Sequence, residues 1–212
     1  MRKVIFSGLL LLCVCAATAS ARGRVGAGYL VGGTTRWDAL GGKQSYISHG
    51  PLVYARWSVD LSYYLDLDFG AEWRHQFMPF PSGRIHPLSG LPAGEIFNEE
   101  YITVPLNLNF IISTADMGAL RFLDYVGVYA GPRLDWCILS HNGSDRSFSY
   151  MKQNYGYRPL NVLAGIGVYF IKGKWSFTLT ADHGFLNRCS QGGVKITNDW
   201  FASFRIGFEF GR

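Results

Sequence analysis

What the chain lacks narrows it quickly. Past residue 21 there is no run of the roughly 18 apolar residues that a membrane-crossing helix needs, which excludes a helical membrane protein. Cysteine is scarce: of four in the chain, Cys13 and Cys15 fall in an apolar N-terminal stretch, leaving Cys137 and Cys189. Two thiols cannot complete a four-ligand zinc site. They can form a disulfide in an oxidising compartment or stand as free thiols, and their spacing does not choose between the two. The formal net charge is +5, but the cations are not gathered into a basic stripe interleaved with stacking aromatics, so a nucleic-acid surface is excluded. No linker or break in composition divides the 212 residues, and a single domain is expected.

Catalytic and cofactor signatures are missing as well. A nucleophile, a base and an orienting acid must converge. Asp182 and His183, as strand neighbours, point to opposite faces; His75 takes the outward parity at a strand end, and His141 has no partner by spacing. The expectation is that the protein is not an enzyme. The glycine-rich "GAGYLVGG" at 26 to 33 lies inside a strand instead of opening a helix, so it is no phosphate cradle, and its glycines make room for large neighbours. No metal or cofactor site is expected. The "NGS" at 142 to 144 matches a glycosylation sequon, a pattern common by chance.

What is present begins with a leader. Arg2 and Lys3, an apolar run from Val4 to Ala17, and Ala19-Ser20-Ala21 make a secretory signal peptide over residues 1–21, with the domain at 22–212. Leu12 and Val14, which precede Cys13 and Cys15, do not suit a lipid-anchor site. The mature protein should therefore begin at Arg22. Mass spectrometry of the membrane form checks this, and retention of residues 1–21 or a lipid-modified Cys15 would contradict it.

Two-residue periodicity recurs along the remainder and predicts strands at 24–34, 52–61, 64–76, 101–112, 122–138, 158–170, 175–186 and 200–210. Eight strands close a small barrel. The intervening segments alternate long and short, as they do in outer-membrane barrels, whose long loops are extracellular.

Following the parity of each strand separates two faces. In 101–112, Ile102, Val104, Leu106, Leu108 and Phe110 share one face, with Tyr101, Thr103, Pro105, Asn107 and Asn109 on the other. Across the chain the first kind of face is apolar and uncharged, with residues such as Val53, Trp57, Leu67, Phe69, Leu134, Val162, Phe177, Phe204 and Phe208. Turned inward, so many large side chains would overfill an eight-stranded barrel. They belong outside, in lipid. Trp73, Trp136 and Trp200 then fall at the extracellular ends, and Trp175, Phe110, Phe170 and Phe210 at the periplasmic ends, as two interfacial girdles.

The other face carries Arg24, Arg56, Asp60, Asp66, Asp68, Glu72, Arg74, Arg133, Asp135, Asp182, Arg205 and Glu209. An unpaired buried ion is costly, so these charges are expected to pair across the lumen as a structural network. The predicted fold is an all-β, antiparallel, up-and-down transmembrane barrel with a polar, plugged interior. Its solvent is outer-membrane lipid.

"YITVPLNLNF", "YVGVYAGPRLDW" and "LNVLAGIGVYF" followed by "WSFTLTADHGFLN" resemble the outer-membrane β-barrel family typical of Bacteroidota, which includes PorT-like proteins. Tyr101, Pro105, Leu106 and Leu108 are the most specific residues in the match. The resemblance implies insertion by the barrel-assembly machinery, and the alternation of Phe204, Ile206, Phe208 and Phe210 near the end looks like its signal. It also implies a role as an accessory barrel of a secretion system, with secretion components as partners. Proline within the fourth strand is expected to mark a bulge at Pro105.

The long loops are the expected place for a protein or glycan ligand. Between Phe77 and Phe97, Pro79, Pro81, Pro87 and Pro92 restrict the chain, and Tyr150, Tyr155 and Tyr157 offer contact side chains in the next long loop. The sequence thus points to a membrane-anchored structural or binding protein. An accessory secretion barrel is the alternative, and a rim-located enzyme comes third.

Overall fold

The computed structural model describes residues 22–37, 42–79, 96–115, 117–142, 156–189 and 195–211. The leader expected at 1–21 lies outside them. The strands are β1 (Arg22–Trp37), β2 (Lys43–Asp60), β3 (Leu65–Pro79), β4 (Ile96–Ser113), β5 (Tyr125–Asn142), β6 (Leu160–Lys172), β7 (Trp175–Gly184) and β8 (Lys195–Phe210). Each pairs antiparallel with the next, and β8 returns to β1, closing the barrel. The predicted fold class and strand number are those observed. Closure leaves no unpaired sheet edge in the wall, which a strand protein in lipid requires.

Six of the eight strands reach beyond the expected limits on the long-loop side, whereas β6 begins at Leu160, not at 158, and β7 ends at Gly184, not at 186. β2 begins at Lys43, not at residue 52, and β8 begins at Lys195, not at 200. The added stretch of β2 pairs with β1 from Trp37↔Lys43 to Leu30↔Gly50. Above the lipid neither face of a strand has to be apolar, so the alternation that marks the buried stretch fades while the backbone ladder continues. On the short-turn side, 61–64 and 173–174 are tight, and the link between β4 and β5 contains a single turn of 3-10 helix at Gly118–Leu120.

Pro51, Pro105 and Pro132 all sit where a ladder lapses. Gly50 and Pro51 have no partner pair on β3, nor do Val104 and Pro105, and the pairing of Leu106 and Asn107 with Pro132 and Gly131 is interrupted. Pairing resumes in the same register each time, as expected when a donor is missing and no residue is inserted. The bulge expected at Pro105 is therefore not there. The register shifts lie between Glu100 and Tyr101 in the β4–β5 pair, and between Gly33 and Thr34 in the β1–β8 pair.

Burial bears out the assignment of faces in 101–112. Leu106 is 45% exposed on the outside of the barrel, whereas Asn107 is 0% exposed inside it. The same parity holds around the wall: Val53, Trp57, Leu134, Val162, Phe177, Phe204 and Phe208 are exposed, while Arg56, Glu72, Arg133, Thr178 and Arg205 are buried. An apolar exterior over a charged interior inverts the soluble pattern. It is the surface of an outer-membrane barrel. Trp136, Trp200, Trp175, Phe110 and Phe210 lie exposed near the strand ends, and Tyr63, Tyr64 and Phe122 extend the aromatic zone on the short-turn side.

Large side chains fill the lumen beside glycines that make way for them. A Cβ on Gly26 or Gly207 would collide with the Tyr54 hydroxyl, and one on Gly127 with the Tyr169 ring. In a closed interior of this size, backbone without a side chain is the space available for a tyrosine.

Candidate functional site

The lumen is a column of ion pairs, ordered here from the long-loop mouth to the short-turn mouth. At the top Arg188 reaches Glu99 at 3.2 Å and donates to the Tyr101 hydroxyl. Below it Arg74 pairs with Asp135, whose other oxygen accepts a 2.7 Å hydrogen bond from Thr103 Oγ1. Mid-barrel, Glu72 holds two arginines: Arg56 Nη2 at 3.2 Å and Arg205 Nη1 at 2.6 Å. Arg56 also reaches Asp68 at 3.4 Å, and Arg133 pairs with Asp182 at 3.0 Å. Nearer the lower mouth Arg24 meets Glu209 at 2.7 Å, and Arg22 bridges Asp60 and Asp66.

The partners come from strands far apart in sequence. Glu72 on β3 faces Arg205 on β8, and Arg133 on β5 faces Asp182 on β7. Such pairs cross-link the wall through its centre. Desolvating each charge is expensive, and a carboxylate shared by two guanidinium groups is a geometry that offsets that cost. Aromatic faces add to it: the Arg74 guanidinium lies 4.5 Å from the Tyr101 ring centre and 4.7 Å from that of Phe201.

Of the lumen charges expected from the sequence, Arg56, Asp66, Asp68, Glu72, Arg74, Arg133, Asp135, Asp182, Arg205 and Glu209 are buried. Asp60 differs. Its side chain is 49% exposed, because β2 ends at that residue and the carboxylate reaches solvent at the rim. Arg22, Glu99 and Arg188 were missed by the parity argument. Arg22 and Glu99 lie in strand extensions outside the predicted limits, and Arg188 follows the end of β7 in a segment without periodicity.

The mouth on the long-loop side is shut by two of these, Glu99 and Arg188, together with Tyr101 and Tyr157. The Arg188 guanidinium lies between two rings, 5.0 Å from Tyr101 and 4.4 Å from Tyr157. The hydroxyls of Tyr101 and Tyr157 both donate to Glu99. Burial pushes the Tyr157 phenol well above its ordinary range, so it stays protonated and keeps its donor. Tyr157, expected as an exposed contact residue, is instead 3% exposed and staples its loop to β4. Tyr150, Tyr155 and the proline-bearing residues 80–95 lie outside the described residues.

Cys137 and Cys189 are both buried. The backbone N–H of Cys137 donates to Pro159, and its thiol contacts the Leu139 carbonyl at 3.4 Å. Among the described residues no group of three or more His, Cys, Asp or Glu side chains is arranged to hold a metal ion.

His49, His75 and His183 sit on the outer rim. His75 Nδ1 lies 3.7 Å from Glu100, which also accepts a 3.4 Å hydrogen bond from the Trp73 indole. His183 Nδ1 bonds the Asp199 carbonyl, away from Asp182 in the lumen. The base and carboxylate at His75 and Glu100 are adjacent, but no serine, threonine or cysteine among the described residues hydrogen-bonds to either one. The described rim therefore holds an aromatic and histidine belt, with Tyr29 bonded to His49 at 2.6 Å.

No protein-family model matches the sequence, and no curated protein matches it. Solved structures similar in fold include Neisserial surface protein A (TM-score 0.48, 12% identity, covering 92% of this chain and 98% of that one). OprG of Pseudomonas aeruginosa is an outer membrane protein with a TM-score of 0.47 at 10% identity, covering 91% of this chain and 97% of its own. Ail, the attachment invasion locus protein of Yersinia pestis, was solved in complex with the heparin analogue sucrose octasulfate; its TM-score is 0.46 at 10% identity, with 90% and 99% covered. These likenesses concern the overall fold alone.

A lumen packed with ion pairs and tyrosines leaves no wide aqueous path. Purified monomer in planar bilayers should show no steady conductance of porin size. Reproducible porin-sized steps would contradict the plugged interior.

Proposed function

We propose that the chain is a membrane-anchored structural or binding protein of the outer membrane, using the barrel as a rigid pedestal for its extracellular loops. The carrying observation is the closed mouth: Glu99, Tyr101, Tyr157 and Arg188 lock the loop bases to the wall above a lumen of paired charges. A barrel so filled is built for rigidity, and contact with partners falls to the loops that rise beyond it. A protein or glycan ligand is the partner class, and insertion runs through the barrel-assembly machinery. In this reading the protein is not an enzyme.

Affinity purification from the native membrane, with a tag inserted among residues 143–155 and a control lacking residues 80–95, tests it. A surface protein or glycan that is retained by the full loops and lost on deletion supports the proposal. Secretion components retained by both forms would favour the accessory role that the PorT-like resemblance implies.

A further inference from the structure

The outer wall is not uniformly bulky. Where β1 meets β8, Ala27 stands opposite Ile206, with Val25 and Tyr29 flanking it on β1 and Phe208 and Phe204 on β8. The small side chain, with Gly26, Gly28 and Gly207 in the backbone around it, leaves a groove of about 570 Å³ open to the lipid side. Tyr29 and Phe204 bound one end. Trp175, edge-on to Phe208 with ring centres 5.8 Å apart, bounds the other.

That second end lies at the tight turn between β6 and β7, and it carries a cation. Lys174 is exposed, with its ammonium 5.8 Å from the centre of the Phe208 ring. Its neighbour Lys172 is paired with Asp124 at 3.0 Å, but among the described residues Lys174 has no carboxylate partner. An ammonium at the lipid–water boundary, above an apolar slot that runs toward the membrane interior, is complementary to one kind of occupant.

We propose that this groove is a binding site for one anionic phospholipid of the periplasmic leaflet, with an acyl chain along Ala27 and Ile206 and its phosphate at Lys174. The aromatic pair Trp175 and Phe208 sits at the depth where chain gives way to headgroup, which is where such rings partition. The site also lies on the seam where the first and last strands close the barrel, so a seated lipid would cover the β1–β8 junction.

Native mass spectrometry of the protein released from vesicles containing equal phosphatidylglycerol and phosphatidylcholine tests this directly. The folded wild type should retain a single phosphatidylglycerol in preference to phosphatidylcholine. Lys174→Glu should lower the phosphatidylglycerol adduct about fivefold or more. Ala27→Phe, which fills the slot, should remove adducts of both lipids, whereas Ala130→Phe on the exposed face of β5 should leave them as in wild type. Equal adducts in all four proteins, no preference for the anionic lipid, or a lipid-free dimer abolished by Ala27→Phe would overturn the proposal. Unshifted heat-modified gel mobility establishes that each variant has folded, so that loss of lipid is not loss of structure.

Discussion

Glu72→Ala should destabilise the folded barrel by about 3 to 5 kcal/mol, the cost of leaving buried charge without its partner. Glu72 is 2% exposed and is shared by Arg56 and Arg205. Its removal strands two guanidinium groups in the middle of the lumen, where Asp68 can answer only Arg56. Glu72→Gln keeps an acceptor for both arginines while losing the charge, so it should fall between wild type and Glu72→Ala. Urea unfolding in lipid vesicles, followed by tryptophan fluorescence and gel mobility, gives the ranking. A Glu72→Ala protein within about 1 kcal/mol of wild type would mean that water reaches the pair, since only exposed pairs are worth so little.

Leu106→Arg is the second large effect expected, at about 2 to 4 kcal/mol for a cation near the middle of the bilayer. Leu106 stands on the outer face of β4, midway between Ile102, paired with Trp136 toward the upper girdle, and Phe110 at the lower one. Its chain neighbour offers the contrast. Asn107 is buried in the lumen, and neither of its amide atoms has a hydrogen-bond partner among the described residues. Asn107→Ser gives up no protein hydrogen bond and should cost no more than about 1 kcal/mol. Equal costs for the two substitutions in vesicle unfolding would contradict the assignment of faces.

The architecture was readable because the lipid imposes one rule on every strand. Val53, Leu106, Val162 and Phe204 had to be apolar, and Arg56, Glu72 and Arg205 had to be turned from them, so parity alone separated the faces. The rule stops at the headgroups. Past them Lys43 to Pro51 and Lys195 to Asp199 continue their strands through backbone pairing, which leaves no trace in side-chain type. The closing device at the mouth was illegible for a related reason. Glu99 and Arg188 are 89 positions apart and lie in stretches without periodicity, so only the closed ladder brings them together. Tyr157 read as a ligand contact because a tyrosine in a loop looks the same whether it faces outward or packs on an arginine. Pro105 read as a bulge because a lapse in pairing and an inserted residue share the same proline signal.

The central claim is that the apolar face of β4 meets lipid and the polar face meets the lumen. Cysteine labelling at Leu106 tests it most directly, in a Cys137→Ser, Cys189→Ser background that removes the native thiols. In bilayers, Leu106→Cys should react with a membrane-soluble maleimide and resist a charged, water-soluble one, while Asn107→Cys should resist both. If instead the folded protein stays in aqueous solution without detergent, and Leu106→Cys is shielded from both reagents, the apolar face is a core and the membrane barrel is contradicted.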